Sequence, residues 1–195
     1  MGEILRMIVV LSLICGLSGL TLASLRDATR ERIVLQELTF VQGPAIEHVL
    51  GQSDNNPIAD RKTFPAPGGG EVTVFPALRG GKLAGVALER FGKGFGGDLG
   101  VMVGFSMTDD TLTGIGITTM KETPGVGSRT TLPSFTAQFT GHKAANLALT
   151  KNGGDVDAVS GATISSTAAV DAVNQAVALF TALKGDFQTT WGGAQ

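Results

Sequence analysis

The stretch "DAVSGATISS", residues 157–166, places several hydroxyl groups at the start of a predicted helix. We predict that Ser160 is the N-cap, which makes Thr163 the third helical residue. The first amides of a helix have no partners within it, and the helix dipole adds positive charge there, so a phosphate is favoured at this end. Gly161 and Ala162 are small enough to let a bulky group approach the backbone. The pattern is typical either of a plain helix cap or of a phosphate site beside the Thr163 alcohol.

The Thr163 hydroxyl is a weak nucleophile unless a base activates it, and no histidine lies near it in the sequence. We therefore expect no self-catalysed chemistry at this residue. Modification by a separate enzyme remains open.

A second stretch, "KETPGVGSR" at residues 121–129, follows a predicted strand directly. Pro124 fixes its own φ angle, and Gly125 and Gly127 permit tight backbone turns. The stretch is either an ordinary loop at the end of a strand or a loop shaped to lie against a planar ligand. In the second case, Glu122 and Arg129 stand at the ends of the ligand-binding loop.

Composition excludes several kinds of site. The 195 residues carry a net charge of −2, which gives no sign of nucleic-acid binding. The single cysteine, Cys15, excludes a disulfide framework, a cysteine zinc site, an iron–sulfur cluster and haem attached through two cysteines. The two histidines, His48 and His142, are far apart, so we expect no metal centre.

The N-terminal segment has no charged residue from Met7 to Leu25. As a helix it spans about 28 Å, close to the thickness of one hydrocarbon core. We predict a transmembrane anchor, because the run is long for the apolar core of a signal peptide. A cleaved signal peptide is the alternative.

From Glu71 the apolar pattern changes to period two. Four strand-like runs, at residues 71–78, 83–91, 99–107 and 112–120, are joined by short turns, which predicts antiparallel hairpins. A short helix at 133–141, a possible strand at 144–151 and a final helix from about Gly161 to Lys184, ended by Gly185, complete the pattern. The sequence therefore predicts an α+β fold: an antiparallel sheet with packed helices, tethered to one N-terminal transmembrane helix.

We expect four regions in the chain. They are an anchor at residues 1–26, a helical stalk and linker at 27–70, a ligand-binding domain at 71–185 and a C-terminal tail at 186–195.

These motifs resemble those of a known family. "DAVSGAT" resembles the D-x-x-[ST]-G-A-T flavinylation motif of FMN-binding domains. Together with "GFGGDLGVMVGF" and "GIGITTMKETPGVG", it is similar to the G subunit of the Rnf ion-translocating complex and to the related C subunit of the sodium-pumping NADH:quinone reductase. The resemblance runs from the membrane helix to about Lys184.

The resemblance implies that FMN is joined covalently, through a phosphoester, to Thr163. A separate flavin transferase installs the group in this family. The resemblance also implies that the cofactor-binding residues come from the two motifs: Ser160, Gly161, Ala162, Glu122, Thr123, Pro124, Gly125 and Gly127.

The same resemblance implies a place and a role for the protein. The flavin domain lies outside the cytoplasmic membrane, on the periplasmic side, and the anchor crosses that membrane once. The chain carries electrons in a ferredoxin:NAD oxidoreductase that moves ions, with the other membrane subunits as partners. It acts as a redox subunit without a catalytic residue of its own.

Two positions depart from the family pattern. Met120 stands where many members have a histidine two residues before the glutamate, and Val126 replaces a leucine. The first change puts any role of that histidine in doubt for this chain. Two other functions stay open on the residues alone: a covalent-FMN shuttle of another membrane redox chain, and a membrane-anchored binding module without redox activity.

Overall fold

The computed structural model of the protein describes residues 2–192. The chain divides into two compact units between Phe40 and Val41. Helix α1, Gly2–Gln36, lies in the first unit, and a π-helical turn, Glu37–Gln42, follows it. A second helix, α2 (Gly43–Leu50), comes next, so the part of the predicted stalk before Gly51 is helical.

Within α1, the stretch Gly2–Arg30 is the candidate membrane anchor. It has 29 residues and a mean hydropathy of 2.3, and its apolar stretch is not buried. A helix of this length spans about 43 Å, more than the roughly 30 Å of a hydrocarbon core. Among residues 2–192, it is the one helix long and apolar enough to cross a membrane.

The second unit is built on a five-stranded antiparallel sheet with strand order β1-β2-β3-β4-β5. The strands are β1 (Lys62–Pro65), β2 (Glu71–Arg79), β3 (Lys82–Lys93), β4 (Asp98–Ser106) and β5 (Leu112–Thr119). Each pairs with its neighbour in sequence, since the short links between them allow only hairpins. The predicted fold class is confirmed.

Helices cover both faces of the sheet. Val74, Leu88 and Val103 are in register on adjacent strands and point into the main core beneath the last helix, α4 (Thr163–Trp191). The residues between them point to the opposite face. On that face, Ile46 and Val49 of α2 are buried.

Helix α4 packs closely on β3. A Cβ atom added to Gly92 would lie 1.9 Å from the carbonyl oxygen of Ala168, so the two backbones are almost in contact at this point. Further along α4, Phe180 stacks on Phe105 with ring centroids 4.4 Å apart. These contacts fix the helix, and its first turn, relative to the sheet.

The structure corrects three details of the predicted elements. Strand β1 lies inside the segment predicted as a linker, because it pairs with β2 across a turn. The stretch 144–151 forms no extended strand; Leu149 makes an isolated bridge with Val156. Helix α4 continues past Gly185 to Trp191, because Phe187 and Trp191 pack against Phe64 of β1.

Between β5 and α4 the chain forms short helices. They are a 3-10 turn at Gly127–Thr131, helix α3 at Pro133–Thr136 with a 3-10 turn at Ala137–Phe139, and a further 3-10 turn at Thr150–Asn152. The predicted short helix at 133–141 is confirmed by α3 and the turn after it.

Candidate functional site

A tight turn leads into helix α4. The amide of Ala162 donates to the carbonyl of Val159 at 2.9 Å, and Gly161 has φ of 81°, the left-handed conformation that suits glycine in a type II turn. Ala162 is the N-cap, and no side chain caps the helix. The prediction that Ser160 is the N-cap was wrong, because the turn places Ser160 two residues before the cap, and Thr163 is therefore the first helical residue.

A residue that the sequence analysis did not single out holds this turn. The hydroxyl of Ser166 is fully buried, donates to the carbonyl of Ala162 at 3.0 Å and accepts from the amide of Val159 at 3.0 Å. A serine four residues after the cap, able to bond back to it, was the signal in the sequence. Because Ser166 fixes the turn, it also fixes where α4 begins.

The start of α4 offers free donors. The amides of Thr163, Ile164 and Ser165 have no acceptor among residues 2–192. These are the groups that a helix leaves unpaired at its N-terminus, and the helix dipole adds positive charge to them. An anion beside Thr163 is therefore favoured.

A cavity of about 430 Å³ opens beside these donors. Three segments line it: the tip of the β3–β4 hairpin, the loop after β5 and the start of α4. The lining residues are Phe95, Glu122, Thr123, Val126, Gly127, Gly161, Ala162, Thr163, Ile164 and Ser165. The tertiary structure thus brings the two sequence motifs, about 40 residues apart, to one place.

The rim of the cavity is apolar. Phe95 is 74% exposed, Ile164 53% and Val126 43%, although all three are large hydrophobic side chains. Exposed groups of this kind beside a cavity indicate a surface for an apolar ligand or partner. The sequence analysis did not include Val126 or Ile164 among the site residues.

Phe95 is held at the tip of a hairpin. The amide of Gly94 donates to the carbonyl of Gly97 at 2.9 Å, and Lys93 donates to Asp98 at 2.8 Å where the two strands meet. The hydrogen bond from Lys93 lowers the pKa of Asp98 and raises the pKa of Lys93. The turn presents the Phe95 ring to the cavity.

Glu122 lies at the inner wall of the cavity and is buried. Its carboxyl group accepts hydrogen bonds from the Ser165 hydroxyl at 2.8 Å and from the Gly96 amide at 3.3 Å. The hydroxyl of Ser165 is therefore bonded to Glu122 and is not free to react.

Six of the nine predicted cofactor-binding residues line this cavity, namely Thr163, Gly161, Ala162, Glu122, Thr123 and Gly127. The other three, Ser160, Pro124 and Gly125, do not line it. Gly125 has φ of 78°, and its added Cβ would meet nothing within 4 Å, so this glycine serves the turn of the loop. That any of these nine residues binds the cofactor stays a prediction.

Ser160 lines a neighbouring polar cleft with Arg129 and Asp157. Arg129 donates to the carbonyl of Ser160 at 3.4 Å, which keeps its guanidinium on the cleft side of the turn. The side chain of Gln138 pairs with the backbone of Asp157 in both directions, at 2.7 and 3.3 Å. The Asp157 carboxyl group is exposed, with no partner among the described residues.

Comparison with known proteins matches this site to a family. Residues 94–178, which include the entire cavity lining, match the FMN-binding domain family. The chain is 34% identical over 185 residues to the G subunit of an ion-translocating oxidoreductase complex from Methanosarcina acetivorans, covering 94% of this chain and 97% of that protein. It is 26% identical to the G subunit of a proton-translocating ferredoxin:NAD(+) oxidoreductase complex from Clostridium ljungdahlii, over 90% of each chain.

A solved structure has a similar fold. The crystal structure of NqrC from Shewanella oneidensis aligns with a TM-score of 0.50 and 25% sequence identity, covering 76% of this chain and 74% of NqrC. The nearly full-length match to the Methanosarcina protein, the FMN-binding domain and the apolar N-terminal helix agree, and the chain therefore belongs to the family of G subunits of Rnf-type ion-translocating oxidoreductase complexes.

Proposed function

We propose that this chain carries FMN joined through a phosphoester to Thr163, and that it passes electrons as a membrane-anchored subunit of an Rnf-type ferredoxin:NAD oxidoreductase complex. The observation that supports the attachment site best is the state of the hydroxyl groups at the start of α4. Ser165 donates to Glu122, Ser166 to Ala162 and Thr167 to Thr163, all through their hydroxyls. The hydroxyl of Thr163 makes no hydrogen bond among the described residues, and the side chain is exposed at the cavity edge.

The residues around Thr163 fit a phosphate. The amides at the start of α4 are unpaired among residues 2–192, and they favour a negative charge by about 0.3–1 kcal/mol at an exposed helix end. A phosphodiester on Thr163 keeps one negative charge close to these amides.

The cavity also fits a flat ring. Its volume of about 430 Å³ lies within the range of roughly 300–1,000 Å³ of small-ligand pockets. Phe95, Val126 and Ile164 supply apolar surface that keeps water from the faces of a ring lying between them. A bound FMN supplies one- and two-electron redox chemistry, and these side chains orient and shield it.

We propose that a separate flavin transferase makes the bond. No acid or base is hydrogen-bonded to the Thr163 hydroxyl among the described residues, so the site lacks an internal activator. The Asp157 carboxyl group is exposed six residues before Thr163, and we propose that the transferase recognises it.

The N-terminal helix supports the proposed location. With a span of 29 residues, Gly2–Arg30 suits a single-pass anchor in the cell membrane. We place the flavin domain on the periplasmic side, as the family resemblance implies, with the other membrane subunits of the complex as partners. The ferredoxin:NAD activity is proposed by analogy with the relative from Clostridium ljungdahlii.

In-gel fluorescence tests the proposed attachment. The full chain is co-expressed with a flavin transferase, and flavin fluorescence is read on a denaturing gel, where only covalent flavin stays with the protein. Thr163→Ala should abolish the fluorescent band, and Thr163→Ser should keep part of it because the alcohol survives. Thr167→Ala, a matched change one helical turn away, should keep the full band. A fluorescent band from the Thr163→Ala chain would reject Thr163 as the attachment site.

A further inference from the structure

Phosphate attachment does not explain Glu122. It is the one buried acidic residue among those whose burial the structure describes. No lysine, arginine or histidine lies within ion-pair distance of it in the described part of the chain. Burying a carboxyl group without a cation costs stability. A stabilising ion pair therefore cannot be the reason for its place in the cavity wall.

Both oxygens of Glu122 are taken by neutral donors of the protein. Oε2 accepts from the Ser165 hydroxyl at 2.8 Å, and Oε1 accepts from the Gly96 amide at 3.3 Å. Ser165 belongs to the first turn of α4, and Gly96 belongs to the hairpin tip that carries Phe95. Glu122 itself belongs to the loop after β5. Its carboxyl group therefore links this loop to the other two segments that line the cavity, the hairpin tip and the start of α4.

The chain packs tightly around this carboxyl group. A Cβ atom on Gly94 would lie 2.0 Å from Oε1 of Glu122, and one on Gly127 would lie 2.5 Å from Oε2. A side chain at either position would have to displace the carboxyl group, and it would also meet a less mobile atom, the Gly97 carbonyl oxygen at 2.9 Å or the Cβ atom of Glu122 at 2.7 Å. The hairpin tip therefore lies in close contact with the Glu122 carboxyl group.

We propose that Glu122 is a positioning residue for the flavin. Its carboxyl group fastens the hairpin tip, residues 94–97, to the first turn of α4, and so holds Phe95 over the cavity in which the ring of the Thr163-linked FMN lies. This inference rests on the proposed function for the place of the flavin. Glu122 acts on the flavin indirectly, by holding Phe95 in place.

Iodide quenching of flavin fluorescence tests the effect on the flavin. The full, flavinylated chain in detergent is compared with Glu122→Ala, Ser165→Ala and Phe95→Ala chains and with the Glu122→Ala/Phe95→Ala double variant. Glu47→Ala, which changes an exposed glutamate on α2, is the matched control.

Phe95→Ala should raise the quenching constant, and Glu122→Ala should raise it to a similar extent. Ser165→Ala, which loses one hydrogen bond, should also raise the quenching constant measurably, by up to about fivefold. The double variant should equal Phe95→Ala alone, because both changes remove the same shield.

Hydrogen exchange tests, in a chain without flavin, whether Glu122 holds the hairpin tip in place. In the Thr163→Ala background, which should carry no covalent FMN, the amides of residues 94–97 should exchange faster when Glu122 is also replaced by alanine. A faster exchange of about fivefold or more is expected from the loss of the Gly96 bond. The Glu47→Ala change in the same background should leave the exchange of these amides unaltered.

The outcomes separate the two proposals. A wild-type chain without a fluorescent band on the denaturing gel contradicts the proposed function. In that case hydrogen exchange still tests whether Glu122 holds the hairpin tip. If the fluorescent band is normal but iodide quenching is unchanged in the Glu122→Ala and Ser165→Ala chains, Glu122 does not position the flavin. Additive effects in the double variant also overturn it, because they mean that Glu122 acts on the ring independently of Phe95. Should Glu122→Ala fail to fold, Ser165→Ala, which keeps the carboxyl group, decides the question.

Discussion

Replacing Gly92 by alanine tests the packing that places the start of α4. The new Cβ would lie 1.9 Å from the carbonyl oxygen of Ala168 and 2.6 Å from its carbon, where ordinary contact begins near 3.4 Å. Helix α4 or strand β3 must therefore move by about 1.5 Å, and no side-chain rotation relieves a clash with backbone atoms. Ala169 and Ala172 are fully buried nearby, so the neighbouring core leaves no space for the shift.

The expected loss of stability is about 3 kcal/mol, the upper end for overpacking a core by one methyl group. For a chain of this size, that loss lowers Tm by about 6–12 °C. The measurement is thermal unfolding of the full chain in detergent, followed by circular dichroism.

Gly185→Ala is the control with the opposite sign. Gly185 is an exposed residue inside α4, and its added Cβ would meet nothing within 4 Å. Alanine at such a helical position should stabilise the chain by about 0.5–1 kcal/mol. If Gly92→Ala unfolds at the wild-type temperature, the close packing of α4 on β3 is wrong. If Gly185→Ala lowers Tm, the helix does not continue through this residue.

Three further predictions concern single positions. Gly125→Ala should cost about 1–2 kcal/mol in thermal unfolding, because φ of 78° is unfavourable for an L side chain, and Gly125→Asn should cost less; equal stability of both variants with wild type would contradict the assigned backbone. Asp157→Ala should lower the flavin content of the chain on a denaturing gel without changing Tm, because its carboxyl group has no partner among the described residues, and full flavin occupancy would exclude recognition by the transferase. Lys93→Ala should raise the pKa of Asp98 towards its ordinary value of 3.8, since the Lys93 hydrogen bond holds it lower; an NMR titration that finds no change would show that the pair does not form in solution.

Local features of the sequence determined much of the fold. The runs that form strands β2 to β5 are rich in apolar residues and are joined by short turns, which leaves antiparallel hairpins as the simplest arrangement. The uncharged run from Met7 to Leu25 identified the candidate membrane helix by length and composition. The motif at residues 157–163 identified the family and pointed to Thr163.

Helix ends and the first strand depended on contacts distant in sequence. Gly185 is a common helix stop, yet α4 continues because Phe187 and Trp191 pack on Phe64, more than 100 residues earlier. Strand β1 is only four residues long, too short for its pattern to be recognised without its partner β2. In both cases packing outweighed the local preference of the chain.

The sequence by itself determined that a threonine follows a small-residue turn at the start of a helix. The tertiary structure alone decided which hydroxyl is left free. Ser165 meets Glu122, 43 residues earlier, and Ser166 turns back to the residues before the helix. The side chain of Thr163 has no such partner among the described residues, because the first position of α4 is exposed at the cavity edge, whereas Ser165 and Ser166 are buried. Burial direction is set by how α4 packs on the sheet, and a motif of neighbouring residues contains no information about that packing.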